Sequence, residues 1–119
     1  MEPDIFQNNI DIDIDKEKEC LMNLSSLDGR YKTHTHSLRA YFSEYAYFQY
    51  RLQVEISYLC AFMKKVGSDV DLDIKDIPII KRIFTEFTVE ECLEIKKIEK
   101  LINHDVKAIE YYIRNKLRE

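Results

Sequence analysis

Apolar residues recur at intervals of three and four along most of the chain, the spacing of helices that each bury one face. The longest run is Leu38, Tyr41, Phe42, Tyr45, Phe48, Leu52, Ile56, Leu59, Phe62 and Met63. It predicts one helix from Ser37 to Val66, roughly 45 Å long, stopped by Gly67 in the position that ends many helices. Pro78 suits the first turn of a second helix, with Ile79, Ile80, Ile83, Phe84 and Phe87 facing inward. Thr88 followed by Glu91 reads as a capping box, opening a third helix with Leu93, Ile95, Ile98 and Leu101 as its contacts. Asn103 or Asp105 caps a last helix whose stripe is Val106, Ile109, Tyr112, Ile113 and Leu117. The fold class is all-α.

Elsewhere the period changes. Residues 4–15, "DIFQNNIDIDID", alternate Ile with Asp. Alternation is a strand signal, yet Asp is a poor strand former and like charges on one face repel. Residues 1–22 therefore read as a mobile acidic leader, at best a weak edge strand, and 23–119 as one helical domain. Residues 25–36, "SSLDGRYKTHTH", read as a loop with a turn at Asp28-Gly29. Residues 67–76 read as a polar connection. The long helix carries aromatics on more than one face, which predicts that a second surface, from a partner chain or a further domain, covers it. An ordinary core helix with tyrosine hydroxyls reaching solvent is the plainer alternative.

Composition supports the helical pattern: 45% of the 119 residues are apolar, 34% are charged, and there are only 2 Gly and 2 Pro. Net charge is −4. Residues 1–20 hold seven acids against two lysines, so the acidity is concentrated in the leader. No face gathers Lys and Arg as a nucleic acid or an anionic membrane would require. Three scattered cysteines, Cys20, Cys60 and Cys92, read as free thiols in a reducing compartment. With no apolar run near the length of a membrane span, the expected location is the cytoplasm.

Candidate chemistry narrows to two stretches. His34 and His36 lack a second ligand pair at metal-binding spacing, and the two glycines are too far apart for a phosphate loop. No serine or cysteine stands with a His and an orienting acid in a nucleophile pattern. What remains is Asp28-Gly29-Arg30-Tyr31 and Asn103-His104-Asp105. The first presents a guanidinium, whose forked donors fit phosphate or carboxylate, beside a phenol. The second lies at a helix start, where free backbone N–H groups favour an anion. Together they suit a phosphorylated, carboxylated small molecule. From the residues alone, an ordinary turn and an ordinary helix cap are the leading reading, with the anion site open beside it.

"SSLDGRY", "LRAYFSEYAYFQYRLQVEISYL" and "IEKLINHDVKAIEYYI", in that order, resemble the N-terminal part of the adenylosuccinate lyases, in the fumarase/aspartase superfamily. The likeness covers residues 24–117. Ser26 stands where that family often has Pro, and Ile102 where it usually has Thr. The resemblance implies the N-terminal helical domain of that superfamily, incomplete here, from an enzyme that eliminates fumarate from adenylosuccinate and from the succinyl-carboxamide ribotide. It implies that Arg30 and Tyr31 hold the nucleotide phosphate and that Asn103, His104 and Asp105 line the substrate site. It implies further that no catalytic acid or base falls in this stretch, that no cofactor or metal is needed, and that the full enzyme is a homotetramer. A non-catalytic helical interaction module with a lyase-like fold, and a free-standing nucleotide-binding domain, are the alternatives.

Overall fold

In a computed structural model, residues 12–67 and 72–119 are described, and their regular structure is helical. The all-α expectation holds. The helices are α1 (Ile14–Leu21), α2 (Lys32–Thr35), α3 (Arg39–Phe42), α4 (Glu44–Val66), α5 (Ile77–Thr85), α6 (Val89–Ile102) and α7 (Asp105–Lys116), with 3-10 turns at His36–Leu38 and Ile74–Asp76. The described residues fall into two compact units, divided between Arg39 and Ala40.

Most of the Ile/Asp alternation lies outside the described residues. Its end is helical rather than extended. Asp13 accepts a hydrogen bond from the Lys16 amide and caps α1, with Asp15 and Glu17 in the first turn, where acids suit the helix dipole. From Ile14 onward the residues are mostly good helix formers, and that outweighs two alternating isoleucines.

The single long helix expected over 37–66 is interrupted. Ser43 adopts an extended backbone conformation and its hydroxyl accepts from the Ala46 amide, so α4 starts afresh at Glu44. Leu38, Tyr41 and Phe42, expected on the buried stripe, are exposed. α4 ends where predicted: Gly67 has φ 68°, and its N–H donates to the Met63 carbonyl.

α4 is the spine of the second unit and contacts α5, α6 and α7. Its buried residues, Ala46, Phe48, Leu52, Ile56, Cys60 and Met63, follow the helical period. They meet Ile77 and Ile80 of α5, Phe87 of the α5–α6 connection, Cys92 and Ile95 of α6, and Ala108, Ile109, Tyr112 and Ile113 of α7. Tyr45 joins α4 to the α5–α6 connection: its ring stacks on Phe87 at 5.5 Å and its hydroxyl donates to the Phe87 carbonyl at 2.7 Å. Ile79, Leu93, Leu101 and Val106 were expected inside but are exposed, Leu101 at 86%. Cys92, next to Leu93, and Ala108, two positions from Val106, occupy the inner face instead. Cys60 and Cys92 are buried free thiols, and Cys20 is half-buried and free.

The Thr88 capping box forms as read: Thr88 Oγ1 accepts from the Glu91 amide, and the Glu91 carboxylate accepts from the Thr88 amide. Thr88→Ala is expected to lower the unfolding free energy by about 1 kcal/mol. Urea denaturation should show an earlier midpoint at unchanged slope; an unmoved midpoint would contradict the role.

Candidate functional site

The first candidate group sits in the turn after α1. Asn23 donates through its amide to the Asp28 carbonyl at 2.6 Å, and Ser25 donates through both N–H and hydroxyl to the Asp28 carboxylate at 3.0 and 3.1 Å. The Ser25 amide, then its hydroxyl, hold the Asp28 carboxyl below its ordinary pKa. Asp28 is therefore occupied within the turn. Gly29 is buried, and a Cβ there would lie 3.0 Å from the Cys20 carbonyl oxygen and 3.2 Å from that of Ser25, so the close approach of backbone requires glycine. The Tyr31 amide donates to Ser26, and Thr35 Oγ1 donates to the Leu27 carbonyl at 2.7 Å. Part of the expected loop is thus the short helix α2. The Arg30 guanidinium lies 5.1 Å from the Tyr31 ring centre, and both side chains are exposed. Arg and phenol are presented together, as the spacing suggested.

The second group is the corner between α6 and α7, and its members exchange the roles expected of them. Asn103 does not start α7; it ends α6. Its φ of 55° is the left-handed conformation, and its N–H donates to the Glu99 carbonyl. Asn tolerates that conformation better than most residues. His104 is the N-cap of α7: Nδ1 accepts from the Lys107 amide at 3.1 Å. Asp105 is the first residue of the helix, and its Oδ1 accepts from the Val106 amide at 2.8 Å. Two of the N–H groups expected to be free for an anion, those of Val106 and Lys107, are therefore taken by Asp105 and His104. Because Nδ1 accepts, the neutral ring carries its proton on Nε2. The His104 side chain is 62% exposed, so this donor is available to a ligand.

Sequence reasoning missed Arg51. Its Nη1 donates to Asp105 Oδ2 at 2.6 Å, across 54 positions of sequence. Its guanidinium also lies 3.9 Å from the centre of the Tyr47 ring, one turn earlier on α4. Beside this pair runs a groove of about 570 Å³ lined by Tyr41, Phe42, Tyr47, Tyr50, Arg51, Val54, Glu55, Val106 and Ile109. An arginine inside an aromatic stretch of a core helix was the available signal.

The Val106 amide first, then Arg51, hold the Asp105 carboxyl below its ordinary value of 3.8, against an opposing push from partial burial. A depressed pKa stabilises the fold above the unfolded value, and the contribution vanishes as pH falls through the folded one. The Asp105 carboxyl carbon is therefore expected to titrate by NMR below 3.8, with the Arg51 contact released in the same acid range. A midpoint at or above the ordinary value would contradict the pairing.

Among the described residues no three His, Cys, Asp or Glu side chains gather to hold a metal ion, and no helix is long and apolar enough to cross a membrane. His36 Nδ1 lies 3.4 Å from Arg39, and the His34 ring meets Tyr31 edge-on.

No protein-family model matches the chain. Curated relatives do. An adenylosuccinate lyase of Buchnera aphidicola (subsp. Schizaphis graminum) is 42% identical over 108 residues, covering 87% of this chain and 23% of the relative. The chain is related to the adenylosuccinate lyases. The adenylosuccinate lyase of Dictyostelium discoideum is 40% identical over 82% of the chain and 22% of its own length, and that of Escherichia coli K12 is 35% identical over 87% and 23%. The chain thus spans less than a quarter of the length of the adenylosuccinate lyases it matches. A match over 87% of the chain leaves too few residues over to miss the Asp28–Tyr31 turn or to stop short of the end of α6.

Proposed function

We propose that the chain is the part of an adenylosuccinate lyase that helps to hold the substrate. The observation that carries the reading is the likeness to lyases of several organisms, with matches over 87% of the chain that take in the Arg30–Tyr31 turn and α6. In that enzyme a base removes the proton beside a carboxylate of the succinyl group and the C–N bond breaks. An acid protonates the departing nitrogen, and fumarate leaves. Adenylosuccinate yields AMP; the succinyl-carboxamide ribotide yields its carboxamide. Arg30 and Tyr31 take the nucleotide phosphate through a forked cation and a phenol. Asn103, His104 and Asp105 line the substrate site, with the His104 Nε2–H as donor to the ligand. Their contribution is orientation and charge stabilisation; the proton-transferring groups belong to other segments. The enzyme works as a homotetramer in the cytoplasm.

The test is binding of adenylosuccinate to the 119-residue chain followed by NMR. Shifts at Arg30, Tyr31 and His104, with no fumarate formed by the chain alone, support the reading. Absence of shifts at all three would sink it. The exposed Tyr41, Phe42, Tyr58 and Phe62 of the second unit would then favour the second reading, a non-catalytic helical interaction module.

A further inference from the structure

We propose that Arg51 is a positioning residue that fixes the tautomer of His104 by holding the Asp105 carboxylate away from it. His104 Nδ1 lies 3.9 Å from Asp105 Oδ1. Two partners therefore compete for that nitrogen. The Lys107 amide needs it as an acceptor, and makes that bond at 3.1 Å. A free neighbouring carboxylate would instead draw a proton onto it, since a carboxylate beside an imidazole takes the N–H. A small rotation of the Asp105 side chain would close the gap.

The arrangement prevents that rotation. Oδ2 is bound by Arg51 at 2.6 Å and Oδ1 by the Val106 amide at 2.8 Å. Arg51 is itself held, its guanidinium stacked 3.9 Å from the Tyr47 ring centre on the same helix. An arginine stacked on an aromatic face and paired with a carboxylate is fixed in two directions. With the carboxylate pinned, Nδ1 stays an acceptor, α7 keeps its cap, and the proton stays on Nε2 of a largely exposed side chain. Arg51 thus acts through Asp105 and not on the ligand, although it also lines the groove.

The long-range 1H–15N spectrum of the His104 ring in the 119-residue chain reads this directly. The wild-type chain should show the Nε2–H form. Arg51→Met should shift the ring to a mixture with the Nδ1–H form and weaken protection of the Lys107 amide. Arg51→Lys keeps the charge but loses the planar fork, and should fall between; it also serves as the decisive variant should Arg51→Met not fold. In Asp105→Ala, which removes the competing carboxylate, a further Arg51→Met change should leave the ring unaltered. A His104 ring that stays Nε2–H in both arginine variants would overturn the proposal, and so would an Arg51→Met effect that persists in the Asp105→Ala background.

The consequence for ligand rests on the lyase reading, and is separable from the tautomer. Where adenylosuccinate binds the wild-type chain, Arg51→Met should weaken it about tenfold, with no added loss beyond Asp105→Ala. A loss that adds in full would make Arg51 a direct ligand contact and overturn the positioning role. Failure of the wild-type chain to bind would count against the lyase reading alone, and the ring spectrum would still decide the role of Arg51.

Discussion

Leu52→Ala lowers the unfolding free energy of the chain by about 2–5 kcal/mol. Leu52 is fully buried near the middle of α4, between Phe48 and Ile56 on the same face. That face meets α5, α6 and α7, so a cavity there is lined by three elements that would have to shift together to refill it. Cores fill such gaps only in part, and the loss therefore combines the missing transfer energy with the missing contacts. For a chain of this size the expected loss is a large share of a total on the order of 5–15 kcal/mol. Val54→Ala, two residues away and exposed, is the control, with an expected change within about 0.5 kcal/mol. Urea denaturation of the two variants measures the contrast. Equal midpoints would remove α4 from the centre of the core.

On the proposed lyase reading, Arg30→Ala is expected to weaken adenylosuccinate binding by about 1.5–3 kcal/mol, the worth of a charge-assisted contact, and to leave the turn intact. The two effects are separable because the turn is held by other residues. Asn23, Ser25 and Asp28 make its hydrogen bonds, and Gly29 its close approach. Calorimetric titration should show a rise in Kd of roughly 10- to 150-fold with an unchanged circular dichroism spectrum. An unchanged Kd would exclude the phosphate role. At His104 the cap and the proposed ligand donor reside in one ring, so alanine removes both. His104→Asn restores a side-chain acceptor suited to an N-cap while deleting the Nε2 donor. It should hold the melting temperature near that of the wild type yet impair binding, and a recovery of binding would show that only the cap mattered.

Much of the fold is legible wherever a local signal has one reading. Thr88 with Glu91, Pro78 and Gly67 mark helix ends by chemistry that acts within a few residues, and all three stand where expected. The Ser43 break is hidden because apolar spacing continues on both sides of it, and serine is tolerated inside helices as well as at their caps. Ile79, Leu93 and Leu101 were assigned inward because they are apolar, whereas the inner face went to Cys92 and Ala108 on angle alone. In the candidate site, the motif residues stand out as short contiguous strings. What each does at the α6–α7 corner does not, because Asn103, His104 and Asp105 are all competent caps, and the backbone angle at Asn103 chooses among them. Arg51 stands out in the string only as an arginine within an aromatic stretch; its role is hidden, since its partner is 54 positions away.

The corner between α6 and α7 lies within one helical hairpin, so the loop that must close to form it is short and its entropic penalty small. Local contacts of this kind assemble early, and contacts distant in sequence follow. Cap and left-handed turn can therefore be in place before α4 docks. The ion pair that restrains the imidazole arrives only with that docking. The proposed restraint on the His104 tautomer is therefore expected to form after the cap that it protects.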